Sequence, residues 1–186
     1  MQVNLIAAMT LNGVIGVGDK LPWKHMRTDM HRFKELTSNC PVLMGHNTFE
    51  SLKKYANGKE ILPSRRKYVV SNSTIDGGKD TVVMRGTPDQ IMGCIRRDNQ
   101  DSTLWIIGGA QIYETYMPFC DHLYLTTVFT EVESSDPNIT RFHFIPSLSL
   151  GTINGFRYRI VDFQQVPQDD DNEFESQFIT FEKERE

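Results

Sequence analysis

Apolar positions along the chain follow two rhythms, one of strands and one of helices. Residues 3–9 form a near-continuous apolar run, as expected of a strand buried on both faces. Residues 41–44 predict a second short strand closed by Gly45. Further strands are predicted at residues 67–71, 81–84, 104–107 and 122–129. Between them the period changes. At roughly 100° per residue, Met26, Met30, Phe33 and Leu36 share one arc of a helix. A second helix is expected over residues 48–54, where Asn47 stands three residues before Glu50 in a capping-box-like start. Asn57-Gly58 then marks a turn. A third helix opens at Thr87-Pro88-Asp89-Gln90: Thr87 can cap, Pro88 suits the first helical position and Gln90 completes the box. A fourth covers residues 110–117 and stops at Pro118. Residues 156–166 and 174–183 predict two long strands with partial alternation. The acidic run 169–173 between them reads as a solvated loop. The order of elements predicts an α/β fold: a central, mostly parallel mixed sheet flanked by helices on both faces, with a C-terminal antiparallel hairpin at one edge.

One polar residue breaks the first helical arc. Asp29 falls between Phe33 and Leu36 on the apolar face, where an unpaired carboxylate is costly. Either a protein partner meets it, such as a neighbouring Arg, or a ligand does. Just upstream, residues 13–23 form a glycine-punctuated loop that could fold over such a site. An apolar wall, one carboxylate and a mobile cover suit a flat, cationic or amide-bearing heterocycle.

Composition narrows the classes. The chain has 186 residues, 39% apolar and 24% charged, which fits one domain, residues 1–186, with a real core. A net charge of −4 argues against a broad nucleic-acid surface. No apolar run reaches the length of a membrane span, and the start reads as a strand rather than a signal peptide. Cys40, Cys94 and Cys120 are widely spaced, and no metal-ligand pattern links them to His25, His31, His46, His122 or His143. No metal site is expected, and reduced thiols suit a cytoplasmic protein.

Three loops should gather at the carboxyl ends of the strands, where ligands of such sheets bind: Gly45-His46-Asn47-Thr48, Ser71-Asn72-Ser73 and Gly108-Gly109. Two of them run from strand into helix with glycine at the junction, and free backbone N–H groups there make an anion site. Tight packing explains a lone Gly-Gly equally well. Ser71, Asn72 and Arg85 offer donors suited to a phosphate monoester, or form an exposed turn and a solvated arginine. Arg65 has the planar fork of a carboxylate clamp, or is a surface arginine. The G-x-G-x-x-G fingerprint of an ordinary dinucleotide fold is absent.

Taken together, Leu5-Ile6-Ala7-Ala8, Asn12 to Gly16, Leu21-Pro22-Trp23, Asp29 with Phe33, Met44-Gly45 with Thr48-Phe49-Glu50-Ser51, Leu62-Pro63-Ser64-Arg65, Ile107-Gly108-Gly109 with Tyr113, and Leu123-Tyr124-Leu125-Thr126 resemble the dihydrofolate reductase family, in the family's order. The resemblance is clear to about residue 126 and weaker beyond.

It implies NADPH-dependent reduction of 7,8-dihydrofolate to tetrahydrofolate, with hydride passing from the nicotinamide to pterin C6 and a proton reaching N5. Asp29, Trp23, Leu21 and Thr126 would form the catalytic set, with Thr126 hydrogen-bonding Asp29. Ile6, Ala8, Met30, Phe33, Leu52, Ile107 and Tyr113 would line the substrate slot, and Arg65 would hold the glutamate α-carboxylate. The cofactor would lie along Ala8, Ile15, Gly16, Asp19, Lys20, Leu21, Gly45, His46, Asn47, Thr48, Ser71, Asn72, Ser73, Arg85, Ile107, Gly108, Gly109, Ala110, Gln111, Ile112 and Tyr113. Residues 12–24 would be the lid, and the Gly108–Gly109 peptide would be cis. Antifolates such as methotrexate should bind, and a monomer is expected. Departures from the family include an extra residue between Trp23 and Asp29, Ser64 before Arg65, and His46 and Gln111 where basic residues are frequent. Two rival readings are a riboflavin-pathway pyrimidine reductase of related fold and a catalytically silent binding protein on the same fold.

Overall fold

A computed structural model of the chain describes residues 1–133, 138–142, 152–153 and 155–184. The apolar run at the start becomes β1 (Gln2–Thr10), which lies mid-sheet because nearly all its side chains are buried. After it come β2 (Val14–Val17), α1 (Arg27–Thr37), β3 (Val42–Gly45), α2 (His46–Ala56), β4 (Lys67–Val70), β5 (Thr81–Met84), α3 (Pro88–Asp98), β6 (Thr103–Gly108), α4 (Ala110–Tyr116) and β7 (His122–Val128). The described remainder holds β8 (Ile139–Arg141), β9 (Thr152–Ile153), β10 (Phe156–Val166) and β11 (Ser176–Lys183). Among the described residues the main sheet has the order β5-β4-β3-β6-β1-β7-β11-β10-β9. Pairings from β5 to β7 are parallel, and those from β7 to β9 are antiparallel. The expected mixed sheet with its C-terminal hairpin is present.

Alternate residues of the central strands feed two cores, as the strand period requires. Leu5 and Ile106 pack with Ile91, Met92, Ile95, Ile112 and Tyr116, so α3 and α4 cover one face. Ile6, Trp105 and Ile107 pack with Phe49, Phe33, Leu36 and Leu52, so α1 and α2 cover the other.

Four expectations need correction. Part of the stretch read as a loop cover is strand: β2 pairs with β8 in a separate two-stranded sheet. The second helix starts at His46 with Gly45 at its N-cap and no side-chain cap, so Asn47 lies inside the helix and does not cap it. The acidic run is not wholly solvated, since Asn172 is buried. Met30 leaves the apolar arc and is 45% exposed. His143 lies outside the described residues. Among the described residues, no helix is long and apolar enough to cross a membrane.

Candidate active site

Asp29 lies in the first turn of α1, where the helix dipole favours a negative charge. The turn itself has no side-chain cap of its own, because Met26 occupies the N-cap position. The acidic run supplies what Met26 cannot. Thr28 N–H donates to Asn172 Oδ1 at 3.2 Å, and Asn172 Nδ2 donates to Thr28 Oγ1 at 2.9 Å. Arg27 N–H donates to the Asp171 carbonyl at 2.9 Å, and the Arg27 guanidinium pairs with the Asp171 carboxylate at 2.7 Å. Asn172 is held in turn by Asp169, whose Oδ1 accepts from its backbone and side-chain nitrogens. A segment near the C-terminus thus orients the helix that carries the carboxylate.

Burial is the largest influence on the Asp29 carboxyl and raises its pKa above the usual carboxylate range. Thr126 and the charge of Arg32 act in the opposite direction. Thr126, on β7, is buried. It faces the carboxyl closely enough to lower its pKa, yet its hydroxyl does not reach the geometry of a full hydrogen bond. Across the cleft the Tyr113 hydroxyl donates to the Ile6 carbonyl at 2.8 Å. Burial, helped by the negative charge of Asp29, pushes the Tyr113 pKa up, so it remains a donor at neutral pH.

The loops after β3 and β6 meet beside Tyr113. Met44 is in register with Gly108, and the Gly108–Gly109 peptide is cis. Glycine is required here by space and by conformation. Gly108 has φ +111°, and a Cβ there would lie 2.9 Å from the Tyr113 ring. A Cβ on Gly45 would lie 3.0 Å from Ile112, and one on Gly109 would lie 3.3 Å from Thr48 Oγ1. The two glycine junctions therefore bring backbone to the cleft with no side chain in the way. Next along the sheet, His46 Nδ1 lies 3.1 Å from Ser71 Oγ, which accepts from Ser73 N–H at 3.0 Å. Arg85 is exposed and borders a cleft of about 490 Å³ with Thr74, Ile75, Val83 and Met84. Asn72, Ser73 and Gln111 are exposed at this end.

Arg65 is not a surface arginine. It is buried, and its Nε donates at 3.1 Å to both the carbonyl and the hydroxyl of Thr37. Nη1 donates to the Pro63 carbonyl at 3.1 Å and Nη2 to the Lys34 carbonyl at 3.3 Å. Burial lowers its pKa without threatening its charge. The segment of residues 12–24 is anchored at both ends. Thr10 Oγ1 donates to Asn12 Oδ1 and accepts from Val14 N–H, while Trp23 packs with Met26 and Val128 against Ala8. At the turn after β2, the Asp19 carboxylate pairs with Lys54 and accepts from Ser51, both on α2. Leu21 is 45% exposed, and Ile15 and Gly16 are half-buried beneath it in the chain.

Sequence reasoning offered a neighbouring arginine for Asp29 without singling out Arg32, and missed Asn172 and the Asp19–Lys54 pair. Arg32 had a signal, because it is three residues after Asp29 and shares its side of the helix. Asn172 had none in the local sequence.

The family model described as dihydrofolate reductase matches residues 2–183. The chain belongs to the dihydrofolate reductase family. It is similar to the type 3 dihydrofolate reductase of Salmonella typhimurium, at 31% identity over 185 residues covering 100% of both chains. It is 28% identical to the dihydrofolate reductase of Bacillus subtilis over 98% of this chain and 95% of the other. Its fold matches the solved dihydrofolate reductase from Enterococcus faecalis complexed with NADP(H) and RAB-propyl. That match has a TM-score of 0.77 and 25% identity, over 99% of this chain and 97% of the other. The chain is an NADPH-dependent oxidoreductase that reduces 7,8-dihydrofolate to tetrahydrofolate in one-carbon metabolism. Family membership excludes the pyrimidine-reductase reading.

Proposed function

We propose that Asp29 is the group that binds the pterin and favours a proton at N5. The observation that carries this is its placement: a carboxyl raised by burial, beside Thr126 and close enough to act on Tyr113, whose ring lies against Gly108. An ionised carboxylate there accepts paired donors from the pterin's amino and amide nitrogens, and its charge stabilises the protonated ring. NADPH, when bound, supplies the hydride that the reaction adds at C6. Gly45, Gly108 and Gly109 fit that cofactor: a Cβ at Gly108 would clash with Tyr113, and one at Gly45 or Gly109 would crowd Ile112 or Thr48, so backbone without side chains suits this junction. Gly45, His46, Asn47 and Thr48 start α2 without a side-chain cap, so their N–H groups are available to a pyrophosphate.

Ala110, Gln111 and Ile112 continue the opposing junction. Ser71, Asn72, Ser73, His46 and Arg85 would hold the adenosine end with its 2′-phosphate. Ile6, Ala8, Met30, Phe33, Leu52, Ile107 and Tyr113 would bound the pterin and aminobenzoyl groups. Exposure of Met30 and Leu21 suits walls that a ligand covers. Arg65, its fork fixed by Thr37, Lys34, Ser38 and Pro63, would present its remaining Nη1 N–H and its charge to a ligand carboxylate. Asp19, Lys20 and Leu21 belong to the lid that excludes water. The chain acts as one domain, as a monomer in the cytoplasm, without nucleic-acid or membrane partners, and it binds antifolates such as methotrexate.

The test is NADPH oxidation by the purified chain with and without dihydrofolate, repeated with NADH. Oxidation that depends on dihydrofolate and prefers NADPH is expected. Methotrexate binding without turnover would favour the silent binding protein.

A further inference from the structure

Arg32 stands one helical turn beyond Asp29 and over the same sheet face. In the β7–β11 register, Tyr124 lies opposite Thr180 and Thr126 opposite Phe178, and residues two apart share a face. Those four side chains form the floor beneath the first half of α1. The Arg32 guanidinium carbon lies 4.6 Å from the Phe178 ring centroid and 5.5 Å from that of Tyr124. Nη2 donates to Thr180 Oγ1 at 3.5 Å. Nη1 is buried and has no hydrogen-bond partner among the described residues. The aromatic faces offset part of the cost of burying this cation, but they do not neutralise it. Its charge therefore projects onto nearby carboxylates, Asp29 on the cleft side and Asp162 on β10.

We propose that Arg32 is a positioning residue for the reduction: fixed on the Tyr124–Phe178 floor, its permanent charge offsets part of the cost of ionising the Asp29 carboxyl and so helps set the pH range in which the pterin is bound and protonated. The proposal rests on the reading of Asp29 given above. Burial alone would leave Asp29 neutral over a wider pH range, and a neutral acid neither attracts the pterin's donors as strongly nor stabilises a protonated ring. Thr126 supplies a neutral dipole and Arg32 the full charge. The other titratable groups facing this pair are Tyr124 on β7, Asp162 on β10 and Tyr113 on α4. Asp162 works against Arg32 because it shares its charge. A purely structural Arg32 would act through stacking, and loss of charge would leave Asp29 unaffected.

The experiment follows the carboxyl 13C resonance of Asp29, identified by its loss in Asp29→Asn, across pH in protein labelled at aspartate. Arg32→Gln should raise the titration midpoint by about one pH unit. Arg32→Met, which refills the space above the rings with an apolar chain, should do the same, and it preserves folding if the glutamine variant does not. Arg32→Lys should restore most of the shift. The acid limb of kcat/KM for dihydrofolate should move up in pH by the same amount. An unchanged midpoint in both neutral variants, with turnover lost in Asp29→Asn, overturns the role of Arg32 alone. A shifted midpoint with normal turnover in Asp29→Asn overturns the reading of Asp29 and the role of Arg32 in the reaction with it.

Discussion

Helices α1 and α3 are both eleven residues long, yet their first turns are fixed in opposite ways. The ends of α3 are written into its own sequence. Thr87 Oγ1 accepts from Gln90 N–H, Gln90 Oε1 accepts from Thr87 N–H, and Pro88 begins the first turn. At the other end Asn99 Nδ2 donates to the Ile95 carbonyl at 2.8 Å. The start of α1 is met from a distance. Its first turn leans on Asn172 and Asp171, while its last carbonyls accept both from the adjacent Thr37 and Ser38 and from the distant Arg65. The helix with local caps is scaffold. The helix with borrowed caps carries Asp29, so the placement of the carboxylate against Thr126 is a property of the assembled fold.

The sharpest way to test this contrast is at Asp29 itself. Asp29→Asn should lower turnover with dihydrofolate by roughly 10²–10⁴-fold at neutral pH, the usual range for a lost acid–base group. It should also raise the Tm at pH 7. The folded-state pKa of Asp29 is raised by burial, so the folded protein binds its proton more tightly than the unfolded chain. Ionising it destabilises the fold progressively as pH rises through that window, and the cost vanishes below the unfolded pKa. The Tm gain of the variant should therefore shrink as pH falls. Normal turnover by Asp29→Asn would sink the proposed role, and a Tm below wild type at pH 7 would contradict the burial argument.

Arg65 probes the other borrowed end. Arg65→Leu should raise the KM for dihydrofolate about 10- to 100-fold, as expected for one or two charge-assisted bonds. It should also lower the Tm, because the Lys34 and Thr37 carbonyls lose a buried donor. A pterin without the glutamate tail should lose much less. Equal KM losses for tailed and tailless substrates would reduce Arg65 to a helix clamp.

The same contrast explains what the sequence discloses. The capping box at Thr87 is legible because all its parts lie within four residues. The arc of Met26, Phe33 and Leu36 is legible as a helix, and Asp29 stands out because it violates that arc. The distant caps of α1 are not legible, since Arg65 and Asn172 come to it from other parts of the chain, and an asparagine in an acidic run reads as solvent-exposed. The false cap at Asn47 has the converse cause: the glycine junction carries the backbone into helix at His46, before the asparagine can act. Met30 satisfies the periodic pattern but is 45% exposed, so the pattern alone overstates the buried face. Residues 14–17 read as loop because their strand partner, β8, lies more than 120 residues away and has no strong pattern of its own.

The smallest effects come from comparing one cap with the other. Asn172→Ala removes a buried acceptor and donor at the α1 start, and Thr87→Ala removes the exposed side-chain acceptor at the α3 start. Each should cost about 0.5–2 kcal/mol of stability, with the buried site at the upper end and the exposed site near 1 kcal/mol. Denaturant midpoints at constant m-value would measure both. Activity should separate them more clearly than stability does. With its first turn released, α1 can tilt or fray, and Asp29 sits in that turn, so Asn172→Ala should lower kcat/KM for dihydrofolate severalfold. Thr87→Ala frays a helix whose buried residues, Ile91, Met92 and Ile95, anchor the sheet face opposite α1, so kcat/KM should remain within about twofold of wild type at temperatures where the fold is intact. Equal activity losses at equal destabilisation would show that α1 holds its place without Asn172 and that the borrowed cap contributes stability alone.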